Sequence, residues 1–321
     1  MGVARSRSLR LYGWLIAILL VLVVVSPDTG DSRAIRAAHD FAHAPVFGVV
    51  CIAMLLMMRE WSRLNDLRVE WQYAIAIVVT SVFGLVTEVA QAFFERDASW
   101  LDARSDILGT LAAACVFAAF DQRVSRSLAK VTFAFGIAAF VWHSIPLLTT
   151  AADYVRRTRD FPVLLAGDRV ERNGFLSGSH AHLEQRAMPQ RFARAAHERA
   201  LYVRFEPGTW PGIHLDEPVP DWSGFGALMI DVANPGDTVF TLKLRVHDRK
   251  HDQRFEDRFN REYELPPNER TTLRVPLAEI ERGPSGRLLD LRQVAGVILF
   301  TTNDAAGREL YLSRIWLEHD H

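Results

Sequence analysis

Apolar residues crowd the first half of the chain, whereas short apolar and polar stretches alternate in the second half. Long apolar runs cover roughly residues 11–26, 41–58, 73–94, 107–120 and 131–148. Each run approaches the roughly 20 residues with which a helix crosses about 30 Å of hydrocarbon. Backbone groups in lipid must bond within their own segment, so we predict a bundle of about five transmembrane helices.

The first apolar run follows a basic segment, as a signal peptide does, but no small-residue cleavage pattern comes after it. We therefore predict an uncleaved first span. Basic residues cluster in residues 5–10, 59–68 and 123–130, which five crossings place on one side. The positive-inside rule makes that side cytoplasmic. The expectation is a multi-pass protein of the inner (plasma) membrane, with a cytoplasmic N-terminus and an extracytoplasmic C-terminal domain.

The second half reads as an all-β jelly-roll sandwich. Short apolar segments recur there between turn sequences, a spacing typical of antiparallel sandwiches. We predict strands at 201–205, 212–215, 226–232, 240–246, 259–265, 271–275, 294–301 and 310–317. The predicted organisation is a transmembrane domain over residues 1–150, a linker over 151–160 and a sandwich domain over 161–321.

Composition excludes several classes of protein. The 321 residues carry a formal net charge of -1, and no basic stripe is present, so no nucleic-acid partner is expected. The two cysteines, Cys51 and Cys115, lie in apolar runs and imply no disulfide framework. No cofactor fingerprint and no strong metal-ligand spacing appear, so we expect neither a cofactor nor a bound metal.

Polar residues at the ends of three apolar spans form the candidate site. A carboxylate inside an apolar span costs about 2.5–3.5 kcal/mol on insertion scales, which makes it a functional candidate by default. The predicted topology brings all of these residues to the external membrane face. The candidate ligand-binding residues are His39, Asp40, His43, Glu88, Gln91, Arg96, Ser99, Asp102 and Asp106.

The spacing Glu88-x-x-Gln91, then Arg96-x-x-Ser99-x-x-Asp102, then Gly109 resembles the VanZ-like membrane domain. His43 is similar to the histidine of that family. The resemblance covers residues 11–148 and implies a cell-envelope protein, since the family is named for a member linked to teicoplanin resistance. Two positions depart from the family pattern: Asp106 replaces an asparagine, and His39 replaces an aspartate.

Two interpretations of these residues remain open. In one, they bind a lipid-linked glycan, a diphosphate or a divalent cation, with Glu88 and His43 as candidate proton carriers of an enzyme. Arg96 would then clamp a phosphate or carboxylate. In the other, they are a polar staple that joins helices, with Arg96 paired to Asp102. We lean towards a protein without catalytic activity.

The segment from Asp221 to Asn234 and the ending at 310–317 resemble a galactose-binding-like jelly roll, the fold of many carbohydrate-binding modules. That likeness implies glycan binding by aromatic stacking and nominates Trp210 and Trp222. Packing in the core is the alternative for Trp222.

We therefore expect a VanZ-like envelope protein with membrane lipid and a cell-wall glycan or polyprenyl-linked ligand as partners. An enzyme acting on such a substrate and a scaffold for another envelope protein are the alternatives.

Overall fold

The computed structural model describes residues 10, 12–19, 32–92 and 100–319, without the side chains of residues 91, 92, 100 and 101. The chain divides into two compact units, Met1–Ala151 and Ala152–His321. The first unit is helical, and the second is built on antiparallel sheets.

Within the described residues, four helices are long and apolar enough to cross a membrane. They are α1 (Arg33–Glu60), α2 (Val69–Ala92), α3 (Trp100–Phe120) and α4 (Arg126–Asp160), and a single-turn helix, Ser62–Asn65, precedes α2. These helices confirm that the second to fifth apolar runs are helical and long enough to cross a membrane. Half of the first predicted span, residues 12–19, lies within the described residues and is helical.

Small residues let α1 and α3 approach closely, as is common between membrane helices. Ala44 and Gly48 of α1 lie four residues apart, as do Gly109 and Ala113 of α3. A Cβ added at Gly109 would lie 2.1 Å from the carbonyl oxygen of Ala44, and one added at Gly48 would lie 3.0 Å from the Cβ of Ala113. The two backbones therefore touch along this seam.

A polar tie joins the helices where α3 ends. Asp121 accepts hydrogen bonds from Arg59 (2.6 Å), from Tyr73 (3.1 Å) and from Arg123 (2.9 Å to Nη2). Burial raises the pKa of Asp121, but the hydrogen bonds and charges of Arg123 and Arg59 outweigh it and lower the pKa to about 2. The carboxylate thus stays ionised and holds α1, α2 and α3 together.

The second unit is a sandwich of two antiparallel sheets. One sheet has the order β3-β4-β11-β6-β9, with β1 also paired to β11, and the other has the order β2-β5-β10-β7-β8. A single-turn helix, Leu277–Glu281, follows β9. The strands are β1 (Val163–Ala166), β2 (Leu176–Ser179), β3 (Ala181–Ala187), β4 (Arg199–Phe205), β5 (Gly212–Asp216), β6 (Ala227–Asn234), β7 (Phe240–Asp248), β8 (Phe259–Leu265), β9 (Glu269–Pro276), β10 (Val294–Phe300) and β11 (Glu309–Glu318).

All eight predicted strands are confirmed, because each carries an apolar set that faces the core between the sheets. Sequence reasoning missed β1, β2 and β3. These strands are short or polar: β2 reads Leu-Ser-Gly-Ser and β3 buries no residue fully. These segments form strands because they pair with β11, β5 and β4, and their own side-chain pattern does not predict a strand.

Buried acids in the sandwich are held by arginines. Arg270 contacts Asp231 (2.6 Å) and Glu198 (2.7 Å), and hydrogen bonds led by Arg270 lower the pKa of Glu198 to about 2. Arg287 binds both Asp248 and Asp257. These ion pairs are structural ties within the sandwich.

We expect Gly109→Ala to destabilise the helical unit by about 1–3 kcal/mol, because the new methyl group meets the backbone of Ala44, which cannot swing aside. Thermal unfolding of the full chain in detergent measures the loss. Gly13→Ala is the matched control, since a Cβ at that helical glycine has nothing within 4 Å. Alanine favours helix by about 1 kcal/mol over glycine, so an unchanged or raised midpoint in both variants contradicts the close seam.

Candidate functional site

Four ionisable side chains from three helices meet inside the helical unit. His43 of α1, Glu88 of α2, and Asp102 and Asp106 of α3 are exposed by only 3%, 5%, 8% and 0%. Nδ1 of His43 lies 3.0 Å from Oδ1 of Asp106. One ligand atom from each of His43, Glu88 and Asp102 lies within 4.8 Å of the other two. We call these four residues the acid–imidazole cluster.

Helix packing explains why these residues meet. His43 precedes Ala44, which touches Gly109, and Asp106 lies nearly one turn before Gly109. Gly84 of α2 sits against Asp106, since a Cβ there would lie 2.9 Å from its carboxylate. Glu88 is one turn beyond Gly84 on the same face of α2. The glycines therefore bring the three helices close enough for the polar side chains to touch.

Two further predicted residues of this site, His39 and Asp40, lie next to the acid–imidazole cluster on α1. The ring of His39 lies edge-on to that of His43, with centroids 5.0 Å apart. Asp40 is half exposed, and its carboxylate lies 3.8 Å from Nδ1 of His39. Gln91 belongs to α2, but its side chain lies outside the described residues, as do Arg96 and Ser99. The clamp predicted for Arg96 stays a prediction.

A cavity of about 360 Å³ opens at the same end of the helices and is lined by residues of α1, α3 and α4. Arg33, Arg36 and Arg104 supply cationic groups, and Asp40 also borders it. Its apolar lining includes Phe41, Leu108, Trp142, Pro146 and Leu147. The sequence analysis did not include these arginines among the candidate site residues. The sequence feature that could have indicated this site is the i, i+3 spacing of Arg33 and Arg36, which puts both side chains on one face where α1 begins.

On the sandwich, the outward face of the five-stranded sheet carries the second candidate site. Trp210 precedes β5 and is 54% exposed. Its ring stands edge-on to Phe300 of β10, with centroids 5.8 Å apart, and Nζ of Lys243 lies 6.0 Å from its centroid. We call this surface, with His214, Arg245 and His247 beyond it, the Trp210 face.

Strand register continues the Trp210 face along β7. Burial alternates along β7, so that Lys243, Arg245 and His247 point outward from the core. Lys243 is paired with Phe300, Arg245 with Ile298 and His247 with Gly296. Gly296 leaves the space that the ring of His247 fills, since a Cβ there would lie 2.5 Å from Cε1. An aromatic platform and a row of cationic or imidazole groups thus share one face.

The electrostatics of the Trp210 face disfavour positive charge. Burial and neighbouring Arg258 lower the pKa of Arg245 to about 10. Burial, with the charges of Arg245, His251 and Arg258, lowers the pKa of His247 to about 4. Among the described residues, Nε of Arg245 and Nδ1 of His247 have no hydrogen-bond partner although both atoms are buried. An anionic ligand would lower the electrostatic cost of this row of groups.

Trp222 is not a binding residue, so its prediction as a glycan-stacking side chain is wrong. Its ring is 0% exposed and belongs to the core between the sheets, and Nε1 donates to the carbonyl of Val219 (2.8 Å). A buried indole that satisfies its own N–H in this way has no free face for a sugar.

Another cavity, of about 490 Å³, lies in the second unit. Its arginines and acids bind one another: Arg169 and Arg159 both contact Asp160, at 2.9 and 3.3 Å. Arg157 stacks over Tyr154 and Phe175. Because these polar groups bind one another, we interpret the cavity as a structural feature of the sandwich and not as a binding site.

No protein-family model and no curated protein matches the chain. Solved structures match its β-sandwich. An exo-β-agarase is 14% identical with a TM-score of 0.38, over 46% of this chain and 23% of that protein. A family 11 carbohydrate-binding module from Clostridium thermocellum, solved with a β-1,3-1,4-mixed-linked tetrasaccharide, is 13% identical with a TM-score of 0.35, over 46% and 89%. The CBM22-1 xylan-binding domain from Paenibacillus barcinonensis is 15% identical with a TM-score of 0.32, over 46% and 87%.

The sandwich is similar to these carbohydrate-binding modules. At these TM-scores that likeness carries no argument about what this chain binds. The whole chain belongs to the class of proteins in which a helical unit, with helices long enough to span a membrane, is followed by an antiparallel β-sandwich.

We expect the sandwich to lose stability as the pH falls from about 6.5 to about 4 because of His247. The unfolded chain binds a proton near pH 6.5 and the folded chain only near 4, so protons favour unfolding across this window. The loss across the whole window is about 3 kcal/mol. Hydrogen–deuterium exchange of β7 and β10 in the full chain measures it. His247→Gln, which cannot titrate, should show a smaller loss, and equal slopes in both proteins contradict the assignment.

Proposed function

We propose that this chain is an integral membrane protein that binds an acidic glycan through the Trp210 face of its sandwich. The observation that carries the proposal is the exposed ring of Trp210 beside the outward row of Lys243, Arg245 and His247. Sugar rings offer C–H faces that pack on aromatic rings, and their carboxylates or phosphates pair with guanidinium groups.

The arrangement also favours an acidic ligand over a neutral one. Lys243 is bound to Glu262, but Arg245 lies in the middle of the face with its Nε unpaired among the described residues. A guanidinium offers a planar fork of donors that matches a carboxylate or phosphate. Cell-wall glycans of the peptidoglycan type, which the sequence resemblance implies, fit this chemistry, and a teicoplanin-related role would be one consequence.

We expect Trp210→Ala to weaken glycan binding by about tenfold or more, since a central aromatic contact contributes about 1.4 kcal/mol or more. The full chain in detergent is applied to an array of neutral and uronic-acid glycans. Leu288→Ala, which removes another exposed apolar side chain of the sandwich (61% exposed), should bind as wild type.

Arg245→Gln should weaken binding of the uronic-acid glycans more than that of the neutral ones. Equal binding by Trp210→Ala and wild type would refute the proposed face. Retention of a protein partner, with no glycan bound, would favour the scaffold alternative.

A second candidate function belongs to the helical unit: binding of a polyprenyl-linked or other lipid with a phosphorylated head. The observation in its favour is the cavity of about 360 Å³, which pairs Arg33, Arg36 and Arg104 with a wall of Phe41 and Trp142. Guanidinium groups suit phosphate, and the apolar wall suits an isoprenoid chain. The neighbouring acid–imidazole cluster keeps an enzyme with Glu88 or His43 as proton carrier as the catalytic variant of this function.

We expect Arg36→Gln and Arg104→Gln each to weaken binding of farnesyl diphosphate by about 10- to 100-fold, because each removes a charge-assisted hydrogen bond of about 1.5–3 kcal/mol. Fluorescence titration of the full chain in detergent measures the affinity. Arg126→Gln, at the start of α4 and away from the cavity lining, is the control. Unchanged affinity in both cavity variants rules this function out.

A further inference from the structure

We propose that His43, Glu88 and Asp102 form a binding site for a divalent transition-metal ion, with Asp106 as the residue that positions the imidazole. This goes beyond the proposed glycan binding and selects the divalent cation among the ligands that the sequence left open, against the expectation of no bound metal. The donor set is one imidazole and two carboxylates, which suits ions such as Zn²⁺ and Mn²⁺.

The geometry supports such a site. One ligand atom of each residue lies within 4.8 Å of the other two, and the three residues come from α1, α2 and α3. Ligands of a tetrahedral ion at about 2.1 Å lie about 3.4 Å from one another, so a small contraction of the side chains closes the set. Three rigid helices hold the ligands, and all three side chains are buried.

Asp106 supplies the contact that metal-bound histidines usually have. The Nδ1–H of a ligating imidazole commonly donates to a carboxylate, which fixes the tautomer and directs Nε2 to the ion. In this protein Nδ1 of His43 lies 3.0 Å from Oδ1 of Asp106, and Asp106 is 0% exposed. Nε2 is then the nitrogen that remains for an ion. Among the described residues, Oδ2 of Asp106 has no hydrogen-bond partner.

Electrostatics favour an ion at the same place. Carboxylates this close together inside an apolar bundle repel one another strongly, because the surrounding dielectric is low. A divalent cation held between Glu88 and Asp102 converts that repulsion into attraction. If these residues are only a polar staple between helices, protons or other side chains must offset the like charges.

A second group of potential ligands, His251, Asp252 and Asp257 in the sandwich, is less suited to a metal. Asp257 already accepts hydrogen bonds from Arg287 at 2.6 and 3.1 Å. Asp252 is bound to Arg254. Because guanidinium groups already neutralise these two carboxylates, they are poor ligands for a cation.

The test uses the full chain in nanodiscs after removal of metal with a chelator. Zn²⁺ and Mn²⁺ are titrated separately, and equilibrium dialysis measures the bound metal. We expect one equivalent per chain, and Glu88→Gln and Asp102→Asn should each weaken binding at least tenfold. Glu70→Gln is the matched control, since it changes an exposed glutamate of α2 about 27 Å along the helix from Glu88.

The role of Asp106 is tested by Asp106→Asn and Asp106→Ala. Loss of a carboxylate behind a ligating histidine weakens metal binding by about 10- to 100-fold. Asparagine can still accept the Nδ1–H bond, so Asp106→Asn should retain more affinity than Asp106→Ala. Equal affinities of these two variants and wild type would remove Asp106 from the site.

Zinc X-ray absorption of the wild-type protein keeps the proposal testable where a variant fails to fold. The expected shell contains nitrogen and oxygen with one imidazole. Sulfur ligands, several imidazoles, less than one equivalent bound at about 100 μM free metal, or unchanged affinity in both Glu88→Gln and Asp102→Asn would overturn it. No glycan is present in these measurements, so their failure leaves the glycan proposal unaffected.

Discussion

The close backbone contact between α1 and α3 is the constraint on which the helical unit depends. Gly109 has no room for a side chain against Ala44, and this contact places His43 beside Asp106. Gly84 makes a similar approach from α2 and brings Glu88 into the same space. Dispersion between closely packed helices stabilises such a contact. The glycines thus create the acid–imidazole cluster without belonging to it.

Buried ionisable side chains lie at both ends of the helices. Asp121 is compensated by Arg59 and Arg123 and acts as a tie. His43, Glu88 and Asp102 instead bring two carboxylates and an imidazole within metal-ligand reach of one another. The sandwich follows the first pattern, since Arg270 and Arg287 each hold two acids. In the acid–imidazole cluster, the residues that meet come from three helices and include an imidazole.

The Trp210 face and the arginine-lined cavity share one chemical theme. Each combines aromatic or apolar surface with guanidinium groups, at Arg245 on the sandwich and at Arg33, Arg36 and Arg104 in the helical unit. Such surfaces suit ligands that join an acidic group to a sugar or a hydrocarbon chain. A lipid-linked or wall glycan has both features, which makes the two candidate functions compatible with one ligand class.

By itself, the sequence determined the helices, the division into two parts and eight strands, because apolar period and turn residues are local signals. It also marked Glu88, Asp102 and Asp106 as unusual, since acids in apolar spans are costly wherever they point. Only the tertiary structure decided that Trp222 is core and Trp210 surface, because both lie in similar local contexts and strand pairing settles which way each faces. Strands β1 to β3 and the contact of His43 with Asp106, 63 residues apart in sequence, likewise depend on partners distant along the chain.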